Sequence, residues 1–100
     1  MIKHIVIWRM KKGAAGASHN ENAAKLKQRI EALPESISEI RHIEVGIHKG
    51  GAQPTTDVAL YSEFADWTAL EAYQQHPAHQ EVVAFVRAVT EDRRVVDYEC

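Results

Sequence analysis

The stretch from Ile2 to Met10 limits the possible folds more than any other part of the sequence. Ile2, His4, Val6 and Trp8 share one parity, and Ile5 and Ile7 share the other. A strand sends alternate side chains to opposite faces. Apolar groups on both parities therefore predict a strand covered on both sides rather than one with a solvated face.

The remaining elements follow from periodicity and punctuation. Residues 11–17, Lys-Lys-Gly-Ala-Ala-Gly-Ala, read as a flexible loop. Ser18 and Glu21 have capping-box spacing, with Asn20 as an alternative cap. Ala23, Leu26, Ile30 and Leu33 then recur at helical spacing up to Pro34, and Ile37 and Ile40 imply one further short turn packed on the core. Arg41 to His48 is a second strand, with Ile43, Val45 and Ile47 on one face and His42, Glu44, Gly46 and His48 on the other. A turn-rich loop is expected over Lys49 to Pro54, and a third strand over Thr56 to Ser62. Asp66 caps a helix containing Trp67, Leu70 and Tyr73. His76-Pro77 interrupts that helix, because a residue before proline avoids the α region, and Pro77 suits the first position of a new one. Val82, Phe85, Val86 and Val89 form the stripe of this last helix, and Arg93 to Glu99 closes the chain as a fourth strand.

The order β-α-β-β-α-β predicts a ferredoxin-like α+β fold: a four-stranded antiparallel sheet with helices on one face, in a single domain over residues 1–100. Helices on one face leave the other face of the first strand without a cover. Large groups are expected there, Trp8 among them, and a patch of that size exceeds what monomers usually tolerate. A second copy related by a two-fold axis covers it, so that two sheets enclose a shared barrel. The partner expected first is therefore this chain itself, as a homodimer.

Composition narrows the function classes. The formal net charge of −2 argues against broad electrostatic binding to nucleic acid or an anionic membrane. No stretch approaches the roughly 20 apolar residues of a membrane span. The opening Met1-Ile2-Lys3-His4-Ile5-Val6 is too short and polar for a secretory signal. Cys100 is the one cysteine, which excludes an intramolecular disulfide and makes a cytoplasmic location the expectation. His76 and His79 have i,i+3 spacing but no Cys or paired carboxylate completes a ligand set, and His42 and His48 lie too far apart on their strand to chelate together. No phosphate loop, dinucleotide fingerprint or serine nucleophile elbow is present. Neither a metal nor a cofactor is expected.

The segment Tyr73-Gln74-Gln75-His76-Pro77-Ala78-His79 carries the chemistry-bearing groups, one phenol and two imidazoles astride a proline. Gathered where two helices meet, they can form a site or a capped corner. His76 reads as structural: preceding Pro77, it sits where a side chain can satisfy free N–H groups of the new helix. His79 precedes Val82 and Val83 by three and four residues and shares their inward face. Partial desolvation there favours a neutral imidazole, able to accept a proton from a carbon acid. Tyr73 can donate a hydrogen bond to a substrate carbonyl. The plainer alternative is that His79 bonds a backbone carbonyl and Tyr73 fills the core. His4, sharing parity with Val6 and Trp8, is expected to point into the barrel, where it and Trp8 line any ligand pocket.

Met1 to Trp8, then Tyr61-Ser62-Glu63-Phe64 with Trp67 to Tyr73, then Tyr73 to His79, and finally Val95-Val96-Asp97-Tyr98 resemble the stress-responsive dimeric α/β-barrel family over nearly the whole chain. The resemblance implies the same fold and homodimer. It also implies varied function, because the family includes heat-stable plant stress proteins and a plant enzyme that closes a linear polyketide by an aldol-type condensation without a cofactor. The Tyr and His pair of that cyclase falls on Tyr73 and His79, and a pocket His falls on His4. A further pocket His of the cyclase falls near Val58, where this chain departs from the pattern.

The leading expectation is a protein that binds a small apolar, aromatic or polyketide-like molecule between sheet and helices, with cofactor-free acid–base chemistry of the lyase or cyclase type. His79 would be the base, Tyr73 the hydrogen-bond donor, and His4 and Trp8 the pocket wall. One rival is a non-catalytic stress or structural dimer with a packed interior. Another is a cofactor-free aromatic monooxygenase.

Overall fold

The computed structural model describes residues 1–48 and 56–100; the loop expected over Lys49 to Pro54 lies outside the described residues. Strand β1 (Ile2–Met10) is followed by a small hairpin of β2 (Gly13–Ala14) and β3 (Ala17–Ser18) and by helix α1 (His19–Glu31). Strands β4 (His42–Ile47) and β5 (Asp57–Phe64), helices α2 (Trp67–Gln75) and α3 (Pro77–Val89), and strand β6 (Thr90–Glu99) complete the chain. The main sheet is antiparallel with the order β4-β5-β1-β6, which is the ferredoxin-like arrangement.

Local chemistry explains the boundaries. The Glu21 N–H donates to Ser18 Oγ and the Ser18 N–H to Glu21 Oε1, both at 3.2 Å, so the capping box at the start of α1 is formed. Leu26 and Ile30 then face the core. Pro34 opens a short 3-10 turn, Leu33–Glu35, that seats Leu33 and Ile37 under the helices.

Residues 11–17 are not the flexible loop that their composition predicts. Gly13 pairs with Ser18 and Ala14 with Ala17. The turn between them has Ala15 at φ 51° and Gly16 at φ 74°. Positive φ at both central residues is what a two-residue hairpin needs to match the strands' twist. Asn22 Nδ2 donates to the Ala14 carbonyl at 2.9 Å and ties the hairpin to α1.

The central strand turns Ile2, His4, Val6, Trp8 and Met10 toward the helices, and all five are buried. The placement of Trp8 on the uncovered face is therefore corrected. Trp8 is 6% exposed and packs in the core with Leu26, Ile30 and Val86. One parity of β1 cannot serve two faces, and the helices take the one that carries the larger groups. His4 shares this orientation, toward the helices rather than toward a space between sheets. On the other face, Ile5 lies opposite Tyr61 and Val96, and Lys3 lies opposite Tyr98. Ile7 is 48% and Val96 57% exposed there, so this chain leaves an apolar sheet face without a cover.

A substitution at the hairpin tests this account. Alanine in the left-handed region is strained by its Cβ, whereas asparagine tolerates it. Ala15→Asn is expected to raise stability by about 1 kcal/mol, read as a higher urea midpoint at unchanged slope.

Candidate functional site

The proline break assembles the site. Asp66 Oδ1 accepts the Ala69 N–H at 2.8 Å and starts α2. At its other end His76 is extended, with φ −65° and ψ 135°, as the residue before a proline prefers. Its Nδ1 accepts the Ala78 N–H at 3.1 Å, capping α3. The chain thus changes direction between Tyr73 in the last turn of α2 and His79 in the first turn of α3, bringing their rings to 4.3 Å between centroids.

The break also frees a carbonyl. With the Ala78 N–H committed to His76, the Gln74 carbonyl has no helical partner, and orphan carbonyls at a helix end seek other donors. Gln80 Nε2 donates to it at 2.6 Å and His79 Nδ1 at 3.1 Å. A carbonyl only accepts, so the His79 proton sits on Nδ1 and its Nε2 carries the free lone pair. Burial pushes the His79 pKa below the ordinary 6.5, outweighing the opposite pull of that hydrogen bond; the nearby His4, Arg93 and His76 lower it further. The neutral imidazole is the form that results near pH 7.

Tyr73 is 1% exposed and packs on Phe64 at 4.9 Å between centroids. Burial raises its phenol well above the ordinary 10, so it stays a donor. Among the described residues no side-chain hydrogen bond is formed by its hydroxyl, and Tyr73 lines the cavity described below. The His4 ring lies 6.2 Å from that of Tyr73. His4 Nδ1 is paired with Asp97 Oδ1, directly across the β1–β6 ladder. A carboxylate accepts, which leaves His4 Nε2 for other partners.

These groups meet at a cavity of about 370 Å³ between sheet and helices. His4, Trp8, Tyr73 and His79 all line it, with Val6, Val82 and Val86 as apolar wall. His76 and Pro77 do not line it; they set the angle between the helices. Val58, where a further imidazole would complete the cyclase pattern, is fully buried in the apolar core. Among the described residues no three His, Cys, Asp or Glu side chains gather as metal ligands, and no helix there is long and apolar enough to cross a membrane. Asp97 and the Gln74 carbonyl were not legible as site groups from sequence. The signal for Asp97 is its parity opposite His4, readable only once the β1–β6 register is known.

The plain alternative is right in both of its contacts: His79 bonds a backbone carbonyl and Tyr73 packs into the core. Both nevertheless border open volume, with a base lone pair and a hydroxyl donor unclaimed.

A family model described as "Stress responsive A/B Barrel Domain" matches residues 2–100. A dimeric protein of unknown function with a ferredoxin-like fold from Bacteroides fragilis is 35% identical, with a TM-score of 0.86 over 99% of this chain and 95% of that one. The hydroxynitrile lyase of Passiflora edulis shares the fold at 19% identity, with a TM-score of 0.78 over 97% and 90%. A putative antibiotic biosynthesis monooxygenase from Deinococcus radiodurans does so at 14% identity, with a TM-score of 0.71 over 100% and 92%. No protein of curated function matches this chain.

The shift of His79 has a checkable sign. Its native pKa lies below the 6.5 of the unfolded chain, so between those values the unfolded state binds a proton that the native state refuses. Its contribution to stability is present above pH 6.5 and is lost as pH falls through the native value. NMR titration is expected to give His79 a midpoint below 6.5 with the proton on Nδ1; a midpoint at or above that value contradicts the assignment.

Proposed function

The chain belongs to the stress-responsive A/B barrel domain family, and from that premise we propose that it binds a small molecule between sheet and helices and performs cofactor-independent acid–base chemistry of the lyase or aldol type. One observation carries the reading: His79, whose Nδ1 is taken by a carbonyl, and Tyr73, whose hydroxyl is unclaimed, line the same cavity. Environments that push two titratable groups apart in this way suit one as base and the other as hydrogen-bond acid.

The sequence of events follows from those roles. His79 Nε2 takes a proton from a carbon next to a carbonyl, and the electron pair moves onto the carbonyl oxygen. The Tyr73 hydroxyl hydrogen-bonds that developing enolate oxygen. The enolate carbon adds to a second carbonyl, and the proton returns from His79 to the new alkoxide. In the reverse direction the same steps cleave the bond. The buried His4, oriented by Asp97, lines the cavity near Tyr73, and Trp8 supplies apolar surface. A sealed interior would favour a purely structural dimer, whereas open volume beside these groups supports a ligand. A hydroxynitrile lyase among the similarly folded proteins supports this reading.

Phe in place of Tyr73 and Ala in place of His79 should each lower kcat by about 10²-fold or more, the usual worth of such groups, with the fold retained by circular dichroism. Turnover of a true substrate surviving both changes would remove the role assignment.

We further propose that the uncovered sheet face docks a second copy. Ile5, Ile7, Val96 and Tyr98 are contiguous across β1 and β6, and solved relatives of this fold are dimeric. Light scattering at micromolar concentration should report a dimer, and the double change Ile7→Asp with Val96→Asp should shift it to monomer. A wild-type monomer ends this proposal.

A further inference from the structure

We propose that the cavity takes an organic anion, an apolar body bearing one carboxylate, with Arg87 and Arg93 receiving the charge at the mouth. The proposal names the ligand class of the site described above and rests on that reading for chemistry, though its test reads binding alone.

The charge distribution carries the inference. The chain has 14 Asp and Glu against 12 Lys and Arg, yet the cavity is lined by Arg87 and Arg93 and by no Asp or Glu. Arg87 lies in the last turn of α3. Arg93 lies on β6 opposite Trp8, on the helix-facing side of the sheet. Both are exposed and form the cavity's outer edge.

Some cations of the chain have partners: Arg9 pairs with Asp57, Lys27 with Glu31, and the Arg29 guanidinium lies 4.1 Å from the Phe85 ring, whereas Lys11, Lys12, Arg41 and Arg94 form no ion pair among the described residues. Among the described residues neither Arg87 nor Arg93 has an ion-pair partner. Of the carboxylates near Arg93 in sequence, Glu91 is exposed and forms no ion pair with it, and two others are placed elsewhere. Asp92 lies opposite Arg9, on the other face, and accepts only the backbone N–H of Arg93 at 2.9 Å. Asp97 is held by His4.

The charge of Arg93 is also felt inside, since it opposes protonation of His79. A planar guanidinium matches a carboxylate, which accepts paired N–H donors, and two such groups line this cavity. Behind them Trp8, Val82 and Val86 give an apolar wall. At about 370 Å³ the volume is near the lower end of small-molecule sites, roughly 300–1,000 Å³. A carboxylate held at the mouth directs the apolar body inward and its far end toward Tyr73 and His79. The apolar ligand anticipated from sequence thereby becomes a directional, amphiphilic one.

The test is calorimetric titration of the intact protein with 1-naphthoate, its neutral counterpart 1-naphthamide, and 1-naphthyl phosphate. Naphthoate should bind about tenfold or more tightly than the amide, the size of one charge-assisted hydrogen bond. That preference should shrink with added salt. It should fall to within about twofold in the double variant Arg87→Gln with Arg93→Gln, and be only partly kept in Arg87→Lys with Arg93→Lys, which retains the charges but not the paired planar donors. Tyr73→Phe should leave the preference intact even where turnover is lost, which separates this proposal from the acid–base reading. Equal binding of acid and amide, no binding of either, tighter binding of the phosphate, or a preference that persists in the glutamine variant overturns it.

Discussion

Pairing of the central strand on both edges is the constraint on which the rest depends. β1 is hydrogen-bonded to β5 on one side and β6 on the other, so its long axis is fixed and its two rows of side chains are forced to opposite faces. One row becomes the floor of the core and of the cavity. The other becomes the apolar face that is left for a partner. A one-residue slip would exchange the two rows, moving His4 out of the site and Ile5 into the core. The antiparallel register with β6 also puts Asp97 across from His4, so the ladder that builds the sheet orients a site imidazole as well.

A proline supplies the second constraint. Pro77 lacks an N–H and displaces His76 from the helical region, so α2 ends and α3 begins within one residue. The break leaves a carbonyl without a helical partner, and His79 and Gln80 both donate to it. The resulting tautomer, and hence which ring nitrogen is free for chemistry, follows from backbone bookkeeping rather than from a catalytic partner. A capped corner and a site are therefore the same structure at this junction. His76 serves the first role and His79 both.

Much of this was legible in the chain. The strand and helix order came from alternation and helical spacing, the helix starts from Ser18, Asp66 and Pro77, and the hinge from His76-Pro77. Three readings needed the fold. Residues 11–17 look like a flexible linker by composition, but Ala15 and Gly16 adopt a hairpin turn that Asn22 ties to α1. Trp8 was assigned to the wrong face, because parity says which residues travel together and not which face the helices will cover. The acid-free lining of the cavity joins residues from β1, α3 and β6 that no local pattern connects.

By itself, then, the sequence determined the elements, their order and the chemistry-bearing residues. These depend on local preferences: the period of apolar side chains, the caps, and the missing N–H of proline. Tertiary structure decided which face of β1 meets the helices, which nitrogen of His79 is free, that His4 is held by Asp97, and that two arginines edge a cavity without an acid. Those outcomes depend on register and on distances between segments far apart in the chain, which local preference does not encode.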